Sequence, residues 1–432
     1  MKNTFVISCP IDTYSGYGAR SRDFIKALIE LDEYEVQILP QRWGKCSEGF
    51  IKNNKEWGYL QKHIIPQLSS QPDYWCQITV PNEFNPVGKY NIGLTAGMET
   101  TIVDGSWVEG CNRMDLILTS SEHSKNVFLN SKFTKDQTNE VIELNKPIEV
   151  LMEGANLNVF KLIKDFKNKE LYNTINSIPE DFAYLSVGHW MQGEMGEDRK
   201  NIGLTIASFY ELFKNRKNPP ALILKYCIVN GSILDKAEIL RRISIVKDQV
   251  EGARTLPKVY LLHGTFSDSE MNELYNHPKV KSMVSLTKGE GYGRPLAEFS
   301  VLDKPIIATN WSGHKDFLKE EYIGFIGGKL DKVHQSAVVP NMILPESEWF
   351  RPNLDDINYL FNNVYEDYEG WSKKAKDQGQ YSRENFSFNK MKDQIKLIFS
   401  KNLLKLPKKM DLNIGKIEMP KNPKQNLKLK KV

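Results

Sequence analysis

Cysteine is scarce: the 432 residues hold five, Cys9, Cys46, Cys76, Cys111 and Cys227, with no C-x-x-C pair among them. An odd number of scattered thiols argues against a disulfide framework or a zinc ribbon and reads as buried free thiols in a reducing compartment. The seven histidines form no H-x-x-x-H or H-E-x-x-H cluster, so no metal site is expected. No D-x-D triplet occurs, which removes one familiar carboxylate arrangement for a divalent ion beside a diphosphate. No uncharged apolar run approaches the ~18 residues of a membrane span. The apolar start at 4–8 is too short for a secretory signal and reads as a first strand, so the expected location is cytoplasmic.

What is present is an ordinary folded composition, 40% hydrophobic, 11% aromatic and 26% charged. The length exceeds one core and fits two domains of roughly 150–200 residues. Charge is unevenly placed. Residues 401–432 carry ten lysines against Asp411 and Glu418, a surplus of +8, and the overall +4 therefore leaves −4 on residues 1–400. The tail reads as a solvated, flexible arm, or as one that holds a polyanion such as nucleic acid or an anionic membrane face.

Short apolar runs alternate with helical stretches along the chain, the pattern of doubly wound α/β domains. Strands are expected at 4–8, 35–39, 75–80, 91–96 and 116–120, then at 182–188, 221–229, 258–262, 281–287, 305–308 and 323–326. Helices fit between them, for example 19–31 and 122–130 in the first series and 204–215, 235–249, 268–275 and 295–302 in the second. The stretch from 144 to 173, with Pro147 and then a polar, charged run, reads as the interdomain linker. The expected organisation is a Rossmann-like domain over 1–165, a second over 166–385, a terminal helix over 386–400 that packs back toward the first domain, and the basic tail. The stretch 355–379 also reads as helix.

The most informative segment runs from Ser285 to Glu298. An apolar strand ends at Thr287, the turn Gly289-Glu290-Gly291-Tyr292-Gly293-Arg294 follows, and Pro295 stands in the favoured first position of a helix. Such a turn presents backbone N–H groups at a helix start, a setting for phosphate. Glu290 and Glu298 reach one pocket at the carboxyl end of the sheet, where open α/β sheets bind ligands. Carboxylates beside a phosphate site suit neutral hydroxyls, and a nucleotide sugar offers both groups.

Glu290-Gly291-Tyr292-Gly293, with Pro295 and Glu298, resembles the E-G-F-G-x-P-x-x-E signature of the large retaining GT-B glycosyltransferase family with the E-x7-E pair (the group 1, or family 4-like, enzymes). The resemblance implies two Rossmann-like domains facing a central cleft, the first on the acceptor side and the second holding the nucleotide sugar. It implies that Glu290 contacts the transferred sugar, that Glu298 contacts the ribose, and that the amides of Gly291, Tyr292, Gly293 and Arg294 meet the diphosphate. Gly188-His189-Trp190 with Arg199-Lys200 resembles the family's G-R…K-G segment, whose cations neutralise the diphosphate. Here His189 stands where the family has arginine, and a longer spacer separates the two parts. Lys200 and Arg199 take the cationic role. Gly16 and Gly18, in Tyr14-Ser15-Gly16-Tyr17-Gly18, fit the family's phosphate-closing loop. As a dinucleotide motif that loop is weak, because Ser21 replaces the third glycine. His263-Gly264-Thr265-Phe266 resembles the base-binding loop, and the loop with Trp311, Gly313 and His314 lines the same cleft. Glu99 and His123 are candidates to contact acceptor or sugar.

The function implied is metal-independent transfer of a UDP- or GDP-linked sugar with retention at the anomeric carbon. No cofactor is expected beyond the nucleotide-sugar co-substrate. The acceptor stays open among glycan, lipid, protein and modified DNA base. Rival readings are a non-catalytic nucleotide-sugar-binding module and a nucleotide-sugar epimerase on the same fold.

Overall fold

The computed structural model describes residues 2–135, 138–228, 231–404 and 406. Most of the basic tail therefore lies outside the described residues. Among those described, no helix is long and apolar enough to cross a membrane.

Two parallel sheets of six strands organise the chain. The first comprises Thr4–Cys9, Glu35–Pro40, Tyr74–Ile78, Tyr90–Leu94, Leu116–Thr119 and Ile148–Val150. Counted in chain order, its strands lie side by side as 2-1-3-4-5-6. The second comprises Ala183–His189, Ala221–Cys227, Val259–Leu262, Val280–Ser285, Ile306–Thr309 and Gly324–Ile326, in the order 3-2-1-4-5-6. Central strands such as Tyr74–Ile78 are buried throughout, because helices cover both faces of a parallel sheet and leave no wet side. Each order reverses beside its first strand. That is where the crossovers diverge and the sheet edge opens into a crevice.

The helix Gly16–Leu31 starts where the Ser15 hydroxyl accepts the Gly18 amide, and it stops at Asp32 in left-handed geometry (φ 53°). It buries Phe24, Ile25, Ala27 and Leu28. The last helix, Phe388–Asn402, is capped by Ser387 and buries Phe388, Met391, Ile395, Ile398 and Phe399. These residues share the core of the first domain. Phe399 stacks on Phe5 with ring centroids 5.8 Å apart. Tyr90 donates to the Asn402 carbonyl at 2.8 Å. The chain thus crosses between domains twice, and the crossings pair with each other: Ala155 N–H donates to Phe386 O and Phe388 N–H to Ala155 O, both at 2.8 Å.

Three features depart from the sequence reading. Ile148–Val150 is the sixth strand of the first sheet, paired parallel to Leu116–Thr119, inside the stretch read as linker. Three residues beside Pro147 give too short a period-2 signal to detect. The helical stretch 355–379 is two helices, Leu354–Glu366 and Tyr368–Asn385, broken at Asp367, which caps the second by accepting the Gly370 amide. Between the last strand of the second sheet and these helices stands an unforeseen antiparallel hairpin, Gly328–Lys332 with Glu348–Pro352.

Because the terminal helix is part of the first core, Phe399→Ala is expected to cost about 3–5 kcal/mol, the usual penalty for deleting a buried aromatic ring. Urea unfolding followed by circular dichroism checks this. A cost near zero would mean that the helix only rests on the surface.

Candidate active site between the two domains

The fourth strand of the second sheet, Val280–Ser285, delivers the loop from Leu286 to Gly293, and the helix Arg294–Ser300 follows. Gly293 has φ 99°, a conformation that L side chains rarely adopt. The other two glycines answer to space. A Cβ on Gly289 would stand 1.9 Å from the Glu99 carbonyl oxygen, and one on Gly291 would stand 2.2 Å from that of Ala96. Both oxygens belong to the first domain. The hydroxyls of Ser120 and Ser121 donate to Gly291 O at 3.1 and 2.6 Å. The close approach these glycines permit is therefore that of the opposing backbone.

This contact encloses Glu290. Its carboxylate lies 2.5 Å from Lys200 Nζ and 3.3 Å from an Arg199 guanidinium nitrogen. The same nitrogen is 3.5 Å from Glu99 and donates to Gly289 O at 2.8 Å. Burial disfavours the charge on Glu290, but Lys200 and Arg199 outweigh burial and hold its pKa at about 2. Burial likewise works against the charge on Arg199, and Glu99 and Glu290 reverse the effect and raise its pKa. Two cations and two carboxylates thus form one neutral, largely dry cluster. His189, at the end of the first strand of this sheet, faces the Cys227 thiol at 3.2 Å. Desolvation, with Lys200 beside it, lowers its pKa.

Glu298 occupies a different setting. Arg294 Nε reaches it at 2.9 Å and Tyr275 donates to it at 3.3 Å. Arg294 also bonds Asp23 of the first domain at 2.7 Å and lies 3.6 Å from Glu153. One guanidinium is shared by three carboxylates. Burial pushes Glu298 up to about 8, and neighbouring Asp268 and Asp23 add to the rise against the pull of Arg294.

The remaining candidates fall around these clusters. Tyr292 points into the second core, 4.9 Å from Phe317, with a buried hydroxyl that has no partner among the described residues. Gly18 packs on Thr13, where a Cβ would meet the carbonyl oxygen at 2.4 Å, while Gly16 has open space. Between them, Tyr17 joins the cleft wall through Thr95 at 3.0 Å. Gly264 accepts from the buried Lys225 at 2.6 Å, and Thr265 beside it is exposed. His123 meets Trp311 edge-on at 4.7 Å, and burial lowers its pKa to about 4. His314 is buried beneath the loop, bonded to Thr309 O at 2.6 Å. Among the described residues, no group of three or more His, Cys, Asp or Glu side chains is placed to hold a metal ion.

The hairpin supplies what sequence reading missed. Phe350 N–H donates to Lys288 O at 2.9 Å, directly before the glycine turn. Lys288, itself buried, bonds Glu197 at 2.8 Å, and Arg351 grips both oxygens of Glu197 at 3.0 Å. Lys288 N–H also holds Arg199 O at 2.8 Å. The long spacer before Arg199 and Lys200 is thereby pinned. Across the cleft, Thr101 and Glu348 exchange two hydrogen bonds, of 3.0 and 2.9 Å. Local sequence carries no signal for this, since Lys288 and Glu197 lie far apart in the chain with no spacing that pairs them.

No protein-family profile matches the chain, and no curated protein resembles it in sequence. Solved structures do resemble it in fold. Anabaena Alr3699/HepE, in complex with UDP and glucose, is 12% identical with a TM-score of 0.59, covering 92% of this chain and all of that one. A glycosyltransferase from Rickettsia africae is 13% identical with a TM-score of 0.61, covering 94% and 100%. Sucrose-phosphate synthase from Thermosynechococcus elongatus is 11% identical with a TM-score of 0.58, covering 93% and 99%. The fold is GT-B: two Rossmann-like α/β domains facing a cleft.

Two outcomes follow from this geometry. In Gly291→Ala the added methyl group conflicts with Ala96 O, so the domains should separate, with a lower melting temperature and a larger radius of gyration by X-ray scattering. No change in either would show that the loop yields. Glu298 keeps its proton to about pH 8 when folded, against 4.5 for an ordinary glutamate. Between those values the folded state binds more protons, and stability falls as pH rises. Glu298→Gln should therefore raise Tm by at least ~2 °C more at about pH 8.5 than at about pH 5. An equal effect at both values would contradict the assignment.

Proposed function

We propose that the protein is a glycosyltransferase that moves a sugar from a UDP- or GDP-linked donor to an acceptor hydroxyl in the cleft. The observation that carries this reading is the ionised Glu290 held on Lys200 and Arg199, past the carboxyl end of the fourth strand of the second sheet, beside the point of strand reversal. The UDP and glucose bound to the Anabaena neighbour support a UDP-sugar as the first donor to test.

The donor diphosphate competes with Glu290 for Lys200 and Arg199. As it takes these cations, the Glu290 oxygens are released to accept hydrogen bonds from the sugar hydroxyls. The bond between the anomeric carbon and the diphosphate oxygen breaks as the acceptor oxygen bonds that carbon. The acceptor's proton passes to the departing phosphate oxygen. Negative charge grows on the diphosphate during this step, and fixed cations in a dry site stabilise it without reorganisation. The same two side chains offer the neutralisation that a divalent ion gives elsewhere, so the reading includes transfer without a metal. Retention at the anomeric carbon follows from the resemblance of the Glu290–Glu298 motif to the retaining enzymes.

Release of UDP from UDP-glucose, and of GDP from GDP-mannose, tests the reading. Glu290→Gln should lower kcat by about 100-fold or more, the scale of losing one transition-state contact, with donor affinity changed far less. Activity should persist in EDTA. A variant with near-normal turnover would remove Glu290 from the chemistry, and binding without turnover of any donor would favour a silent binding module.

A further inference from the structure

A cavity, about 470 Å³ in volume, opens between the domains beside the crossing segment. None of its lining residues belongs to the Glu290 cluster, and one, Asp268, neighbours Glu298. The first domain contributes Lys26, Trp57 and Tyr59, the crossing segment contributes Asn156 and Asn158, and the second domain contributes Asp268. The volume lies within the range of small-molecule sites.

The chemistry of the lining selects a ligand. Trp57 and Tyr59 stack with centroids 6.2 Å apart and planes at 23°, and Tyr59 is 39% exposed. Phe50 packs on the Trp57 edge and fixes the pair. Beside this apolar face stand polar groups whose hydrogen-bonding capacity is uncommitted. Among the described residues, the Asn158 amide and the Asp268 carboxylate make no hydrogen bond or ion pair, and Lys26 meets aromatic rings without a carboxylate partner. An apolar ligand would strand these groups at a desolvation cost. Glu56 also lines the cavity, so two carboxylates face one ammonium. That balance disfavours a phosphate-bearing ligand. A neutral ring with one apolar face and many hydroxyls satisfies all three conditions.

We propose that this cavity is a saccharide-binding site, separate from the Glu290 cluster, in which a pyranose ring lies on Tyr59, backed by the buried Trp57, while Asn156, Asn158 and Asp268 hold its hydroxyls. Because both domains line the cavity, a bound sugar favours the closed arrangement by its differential affinity for it. The inference goes beyond the transferase reading and does not require turnover.

The test uses the full chain and a panel of methyl α-D-glucopyranoside, methyl α-D-mannopyranoside, methyl β-D-galactopyranoside, N-acetylglucosamine, maltose and lactose. Saturation-transfer NMR and calorimetry report binding. At least one of these sugars should bind, and Tyr59→Ala and Asn158→Ala should each weaken it about tenfold or more, equivalent to 1.4 kcal/mol. Both positions are exposed, so the variants should keep Tm within ~2 °C of the parent. Saturating UDP should leave the sugar bound. The proposal is overturned if no sugar in the panel binds, if both variants bind as the parent does, or if UDP displaces the sugar, which would make the cavity the nucleotide end of the donor cleft. A protein that turns over no nucleotide sugar would fail the transferase reading and leave this assay unaffected.

Discussion

The glycine turn of the second domain presses against the backbone of the first, and most of the site depends on that contact. With Gly289 under the Glu99 carbonyl and Gly291 under that of Ala96, there is no room for a side chain at either position. The serine hydroxyls on Gly291 O add directional bonds to the steric fit. What the contact achieves is electrostatic. It closes water away from Glu290 and places Glu99, from the other domain, against Arg199. In such surroundings a charge survives only when it is paired, so the four groups become mutually obligatory.

Two glutamates of one motif consequently behave as opposites. Glu290 sits on two cations, Lys200 and the Arg199 it shares with Glu99, and is held ionised, at about 2. Glu298 must share Arg294 with Asp23 and Glu153 and is pushed up to about 8. The ratio of cations to carboxylates in each cluster, under similar burial, decides the sign of the shift. In the proposed reaction the first arrangement hands its cations to the arriving diphosphate. The second draws the helix Arg294–Ser300 toward the first domain and ties closure to the charge on three acids.

The hairpin and the terminal helix carry that arrangement outward. The hairpin fastens the spacer before Arg199 and Lys200 through Lys288 and Glu197, and the same strand bonds Thr101 across the cleft. The terminal helix returns the chain to the first core, so the domains are joined by two strands of chain rather than one. The two crossings are hydrogen-bonded to each other at Ala155.

The sequence by itself determined the two-layered α/β architecture, because buried parallel strands of Val, Ile and Leu between amphipathic helices read the same in any context. It also singled out one short segment as the candidate site, since a glycine turn with two carboxylates and a helix-starting proline is dense local information. Only the tertiary structure decided what those residues face. That Gly291 makes room for a neighbouring backbone, that Tyr292 turns inward, that Arg294 reaches Asp23 some 271 positions away, and that Lys288 is buried under a hairpin all depend on contacts distant in sequence. Charge pairing and burial are properties of the assembled cleft. The order of residues along the chain carries no record of them until folding brings the two domains together.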